Sequence, residues 1–155
     1  MNASDLIAPS CVLDDVRADD KWALLRLLAD RAAAAAGLDP ARVAEALEAR
    51  ERLGSTGVGG GIALPHARFP ELVRPIGYLA RLRRPLDFEA VDERPVAFVC
   101  LALLPAAREG DQLVALACLS RRLRDPDTLA RLREAGDAAE LHRALVGPET
   151  GEPGR

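Results

Sequence analysis

The apolar positions of the chain change their period twice. Between Asp20 and Gly37, the residues Trp22, Leu25, Leu28 and Ala29 recur at helical spacing behind an Asp19-Asp20 pair. This marks an amphipathic helix with a capped start and a glycine stop. Asp39 and Pro40 open a second helix, whose stripe of Val43, Ala44, Ala46 and Leu47 runs on to Leu53 and Gly54. Pro fits the first turn and Gly ends the last. From Ile62 the pattern changes to short apolar runs punctuated by Pro and Gly: Ile62-Ala63-Leu64, residues 76–82 and residues 96–104. These predict strands, and the last, with no polar side chain, predicts one covered on both faces. Cys11-Val12-Leu13 is a candidate further strand. Helical spacing returns at Leu113, Leu116, Ala117 and Leu123, again after Asp125-Pro126 with Leu129 and Leu132, and again after Asp137 with Leu141 and Leu145. Helices before and after a strand block predict an α/β fold, a single layered domain with a mixed β-sheet flanked by helices on both sides. Residues 1–147 make up the domain; residues 148–155 have nothing to bury and are expected to be a disordered tail.

Composition narrows what this domain does. Apolar residues are 49% of the 155, but 29 are Ala and only five are Phe, Trp or Tyr, so the core is aliphatic and its elements approach closely. Aromatic platforms for single-stranded nucleic acid are absent. With 21 basic against 24 acidic residues and a net charge of −3, neither nucleic acid nor an anionic membrane is expected as the main partner. Lys21 is the single lysine, and His66 and His142 are the two histidines, which leaves little room for lysine or multi-imidazole chemistry. Cys11, Cys100 and Cys118 stand far apart in apolar flanks and read as buried structural residues with no zinc or disulfide spacing. The first residues lack a basic region followed by an apolar one, and the Ala32–Ala36 run is too short to span a bilayer. A cytoplasmic location, without membrane insertion and without cofactor or metal, is expected.

One segment departs from this texture. Five of twelve glycines fall between positions 54 and 61, followed by Ile62-Ala63-Leu64-Pro65-His66. A phosphate-binding P-loop fails because Gly60 and Gly61 stand where Lys and Ser or Thr are required. A dinucleotide loop fails because Ile62 replaces its last Gly and the segment leads from helix to strand. Pro65 restricts Leu64 to extended backbone and sets the direction in which His66 leaves. A neutral imidazole so placed is a nucleophile for phosphorus: one nitrogen attacks while the other keeps its proton on a carbonyl. The product carries about two negative charges and calls for donors, with Arg50 as a planar fork and Ser55, Thr56 or loop amides as neutral ones. The alternatives are plain: a satisfied structural histidine, a glycine loop that only turns a corner, and Arg50 paired with Glu51 or Asp87. His142, near a helix C-terminus, reads as structural.

Arg50-Glu51, Gly54-Ser55-Thr56-Gly57 and Gly61-Ile62-Ala63-Leu64-Pro65-His66 together resemble the active-site signature of the type 2 IIA components of the bacterial phosphoenolpyruvate-dependent phosphotransferase system (PTS). The Gly-Ser-Thr-Gly wording is most similar to the nitrogen-regulatory IIA proteins. The resemblance implies a phosphohistidine at His66, filled from HPr or its nitrogen-branch counterpart, with Arg50 holding the phosphate, and a regulatory role exerted on a target protein. Other readings are a fructose- or mannitol-type IIA feeding a IIB domain, and a binding module that is no longer phosphorylated. Phe69, Leu72 and Val73 read either as an apolar docking patch or as core. Two departures stand out: Gly60 replaces a common Asn, and Gln112 stands where many members carry a second histidine. Gln112 is accordingly expected to donate a hydrogen bond to the phosphate without becoming cationic.

Overall fold

The computed structural model describes residues 1–107 and 109–147, and the expected tail at 148–155 lies outside them. Two packed helices come early: α2 (Lys21–Ala36) and α3 (Pro40–Leu53), after a short α1 (Ala3–Leu6) and β1 (Val12–Val16). Asp20 caps α2 by accepting from the amide of Ala23 at 2.8 Å, and Gly37 closes it in the left-handed region at φ 71°. The buried face of α2 includes Ala29, Ala32 and Ala33, small side chains that let α3 approach closely.

Five strands follow: β2 (Gly57–Gly59), β3 (Ile62–Ala63), β4 (His66–Phe69), β5 (Ile76–Leu86) and β6 (Val96–Pro105). They build a six-stranded mixed sheet in the order β1-β5-β6-β3-β2. β6 is its buried spine, with Val99, Cys100, Leu101 and Leu103 fully enclosed. β5 runs antiparallel to it, and β1 parallel to β5. Both β3 and β4 run parallel to β6, pairing Ala63 with Val99 and His66 with Ala102. They are two halves of one strand interrupted at Leu64-Pro65, where the Pro65 carbonyl still accepts from the Ala102 amide at 2.9 Å. The interruption allows Leu64 to turn its own amide the other way, onto the Thr56 carbonyl at 2.9 Å.

The chain closes with α4 (Glu109–Arg124), α5 (Pro126–Glu134) and α6 (Ala138–Val146). Asp125 and Asp137 cap the last two, accepting from the amides of Thr128 and Glu140. α2 and α3 meet β5 and β4, while α4 and α6 meet β6 and β1, so helices cover the sheet on both sides as the pattern predicts. The sequence pattern missed α1, which is only a single turn, and β2, which is built from glycine-rich backbone without an apolar run. It also ended the second strand too early and placed His66 at a strand end, whereas His66 opens β4.

Candidate functional site

The last turn of α3 presents Arg50 and Glu51 to the following loop. The Arg50 guanidinium donates from Nη1 to the Gly54 carbonyl at 2.9 Å. Among the described residues it makes no ion pair with Glu51 or Asp87. Glu51 turns inward, is 3% exposed, and pairs with Lys21 at 3.3 Å. Beyond it the backbone passes three successive glycines in the left-handed region, Gly59, Gly60 and Gly61, at φ 93°, 68° and 81°. That conformation explains the glycine density, because a Cβ disfavours it. The Asp92 carboxylate secures the turn by accepting from the Gly60 amide at 2.9 Å. The ordering that an Asn side chain would lend at position 60 is thus supplied from across the loop.

His66 is half-buried, with Nδ1 2.9 Å from the Leu64 carbonyl. A carbonyl only accepts, so Nδ1 carries the proton and Nε2 carries the lone pair. Burial pushes the His66 pKa below its ordinary value, with the Arg50 and Arg68 charges adding to the fall; the Leu64 carbonyl and Glu51 oppose it. The ring is therefore a neutral base at physiological pH. Nε2 makes no hydrogen bond among the described residues.

A cleft of about 790 Å³ opens beside the ring. Arg50, Ser55, Thr56, Val58, Leu64 and His66 line one wall, and α4 contributes Leu113, Leu116, Ala117, Ser120, Arg121 and Arg124 to the other. Val58 and Leu113 are exposed apolar residues at this site. Arg124 donates to the Ser120 hydroxyl at 3.0 Å. Sequence reasoning took Leu113, Leu116 and Ala117 with Leu123 as one apolar stripe, whereas the buried apolar positions of α4 are Ala115, Cys118, Leu119 and Leu123, and it missed that the first three face a cleft. The signal was available: positions 113, 116, 120 and 124 repeat at helical spacing and move from apolar to basic.

The expected neutral donors are placed differently. Thr56 is buried, and both its amide, at 2.9 Å, and its hydroxyl donate to the Glu51 carboxylate. The Ser55 hydroxyl donates to the Phe88 carbonyl and accepts from the Gly57 amide. Both residues line the cleft, yet their hydroxyl protons have internal acceptors. Gln112 is 6% exposed and lies outside the cleft lining. Its amide nitrogen donates to the carbonyls of Pro105 at 2.7 Å and Ala106 at 3.4 Å, bracing the turn from β6 into α4. An amide turned onto two carbonyls has little left to offer a phosphate, a correction to the sequence expectation.

Of the suspected docking patch, Phe69 and Leu72 belong to the core and only Val73 is exposed. His142 is structural as read: Nε2 donates to the Ile7 carbonyl at 2.9 Å and ties α6 to the end of α1. The three cysteines are buried, and burial pushes the Cys100 thiol up to about 12, which leaves it inert as a nucleophile. Among the described residues no helix is long and apolar enough to cross a membrane.

Comparison with known proteins agrees with this geometry. The family model described as "Phosphoenolpyruvate-dependent sugar phosphotransferase system, EIIA 2" matches residues 5–146. A nitrogen regulatory protein of Bradyrhizobium diazoefficiens is 41% identical over 148 residues, which are 96% of this chain and 97% of that protein. The fructose-specific EIIA component of Haloferax volcanii is 37% identical over 127 residues, covering 81% of this chain and 82% of its own. The crystal structure of nitrogen regulatory protein IIA-Ntr from Neisseria meningitidis superposes with a TM-score of 0.86 at 29% identity, covering 92% of this chain and 98% of that one. A histidine held through Nδ1 at the mouth of an arginine-lined cleft, on a fold matched by that family almost throughout, leads to one assignment: the chain belongs to the EIIA 2 family of the phosphoenolpyruvate-dependent sugar phosphotransferase system.

Proposed function

We propose that this chain is a cytoplasmic phosphohistidine protein that receives its phosphoryl group on Nε2 of His66 from the phosphohistidine of an HPr-like carrier, and that its main role is regulatory, exerted through contacts with a target protein. The observation that carries the reading is the His66 ring, neutral, anchored at Nδ1 by Leu64 and lining the same cleft as Arg50. In the transfer, the Nε2 lone pair forms the new N–P bond as the carrier's N–P bond breaks and its electron pair returns to the carrier's ring. The cation that develops on His66 keeps its Nδ1 proton on the Leu64 carbonyl, which stabilises it. Arg50, close enough to contribute to the His66 potential, supplies a planar fork for the phosphoryl oxygens. The loop amides are the remaining neutral donors.

Gln112 supports the regulatory emphasis. It is not ionisable, and its amide is engaged by backbone, so the site lacks a second imidazole to speed onward transfer. The relationship to a fructose-specific component favours a second reading, in which the phosphoryl group passes to a IIB domain. Incubation with phosphoenolpyruvate, the first enzyme of the system and the carrier tests both. An acid-labile phosphate is expected on the protein and none on His66→Ala. Wild-type protein left unmodified, where a control family member is phosphorylated, would refute the proposal. Rapid discharge to a fructose-type IIB domain would shift the conclusion to the sugar-specific reading.

A further inference from the structure

The single lysine sits where local electrostatics disfavours it. Lys21 is the first residue of α2, and a cation at a helix N-terminus opposes the helix dipole. It is nonetheless 5% exposed, and its ammonium lies 3.3 Å from Glu51 and 3.2 Å from Glu89. The Glu51 carboxylate is in turn fully engaged: Oε2 accepts from Lys21 and from the Thr56 amide, and Oε1 accepts from the Thr56 hydroxyl. The Thr56 carbonyl accepts from the Leu64 amide at 2.9 Å, and the Leu64 carbonyl accepts from His66 Nδ1 at 2.9 Å. An unbroken hydrogen-bonded chain therefore runs from Lys21 through Glu51, Thr56 and Leu64 to the ring of His66.

We propose that Glu51, neutralised and held by Lys21, is a positioning residue for phosphoryl transfer, fixing the tautomer and aim of His66 through Thr56 and Leu64. The proposal rests on the reading of His66 as the phosphoryl acceptor. A buried ion pair is a poor device for stability, since apolar residues of similar volume often serve as well. Here its polar atoms meet the backbone that sets the nucleophile. Leu64 is the pivot, because its amide is fixed from the Glu51 side while its carbonyl fixes the imidazole. If Thr56 drifts, Leu64 drifts with it, and the ring loses the acceptor that keeps the proton on Nδ1. Lys21 also cancels a carboxylate that would otherwise repel the incoming phosphate.

Two double variants separate this role from simple stability. Lys21→Met with Glu51→Gln removes both charges but keeps an acceptor for Thr56; Lys21→Met with Glu51→Leu removes the acceptor as well. The readouts are the ring nitrogen NMR signals of His66, which report its tautomer without any carrier, and the rate of phosphorylation. The Gln version is expected to keep the Nδ1–H tautomer and near wild-type rate. The Leu version is expected to show mixed tautomers and a roughly 10- to 100-fold slower rate, the size of effect that a small misplacement produces. If both versions keep the wild-type tautomer, or both lose it equally, the proposal is overturned. Should the Leu version fail to fold, Thr56→Val, which deletes one of the two bonds to Glu51, is expected to shift the tautomer equilibrium while Thr56→Ser restores it; an unchanged tautomer in Thr56→Val overturns the proposal. A wild-type protein that takes no phosphate, yet whose tautomer responds in this way, would remove the proposed function and leave the positioning role standing.

Discussion

The two histidines of this chain make the same contact to opposite effect. Each lies 2.9 Å from a backbone carbonyl, His66 through Nδ1 to Leu64 and His142 through Nε2 to Ile7. Nδ1 is the nitrogen nearer the main chain, so bonding it to a carbonyl two residues back folds the ring against its own strand and leaves the far nitrogen unbonded. His142 uses the far nitrogen to reach a carbonyl 135 residues away in sequence. The first arrangement exposes a lone pair; the second staples α6 to the N-terminal turn. Surroundings complete the contrast: His66 shares a cleft with Arg50, whereas His142 joins two packed segments. Which nitrogen is tied down, more than the presence of imidazole, separates a ring with a free lone pair from a brace.

Substitution at the two positions should break the comparison most sharply. His66→Ala is expected to abolish acid-labile phosphate with little change in melting temperature. His142→Ala should keep phosphorylation and lose about 1 kcal/mol of stability, the net worth of one hydrogen bond. Radiolabel incorporation and thermal melts on both variants check this. Arg50→Ala comes next: loss of a charged donor beside the transferring group should slow phosphorylation by roughly a hundredfold. Arg50→Lys should recover only part of that, since an ammonium cannot present a planar fork. Single-turnover transfer from a phosphorylated carrier measures both.

Because burial lowers the His66 pKa, its NMR titration midpoint should fall below the ordinary histidine value of about 6.5. Acceptor activity should accordingly persist into mildly acid solution. Below that ordinary value the unfolded chain binds a proton that folded His66 refuses. The stability contribution is therefore present above the unfolded pKa and lost as pH falls through the folded one.

Two smaller effects sharpen the contrast at Gln112 and Gly60. Gln112→Ala should cost about 1–2 kcal/mol by leaving the Pro105 and Ala106 carbonyls short of a donor, and should slow phosphorylation little. A loss of transfer without a loss of stability would return Gln112 to the phosphate site. Gly60→Asn should cost only about 1 kcal/mol, the low end for a non-glycine residue at positive φ, because Asn is among the residues that visit the left-handed region and nothing lies within 4 Å of the added Cβ. Gly57→Ala provides the control: its Cβ would sit 2.8 Å from that of Ala90, an overpacking expected to cost about 1–3 kcal/mol.

Much of the architecture was legible because its signals are local. Asp caps, Pro at first turns and closing glycines located α2, α3, α5 and α6, and the all-apolar run at 96–104 announced the spine of the sheet. Equally legible were the glycines that take positive φ, next to a cleft that Arg50 and His66 line together. The site was illegible wherever a polar group chooses between solvent and a distant partner. Ser55, Thr56 and Gln112 are good phosphate donors by residue type, yet folding brings each to an internal acceptor: the Phe88 carbonyl, the Glu51 carboxylate and the carbonyls closing β6. The Arg121 and Arg124 wall of the cleft escaped notice because it belongs to a different segment that only the sheet brings opposite the glycine loop.

By itself the sequence determined the order of helices and strands, the left-handed glycine turn, the direction of the chain through Pro65, and the place of His66 just beyond it, since each depends on the backbone preferences of a few neighbours. Tertiary structure decided which nitrogen of that residue is free, which donors remain for a phosphate, and what Lys21 does. These follow from the pairing of polar groups far apart in the chain, where burial forces every donor and acceptor to find a partner and no local pattern says which partner it will be.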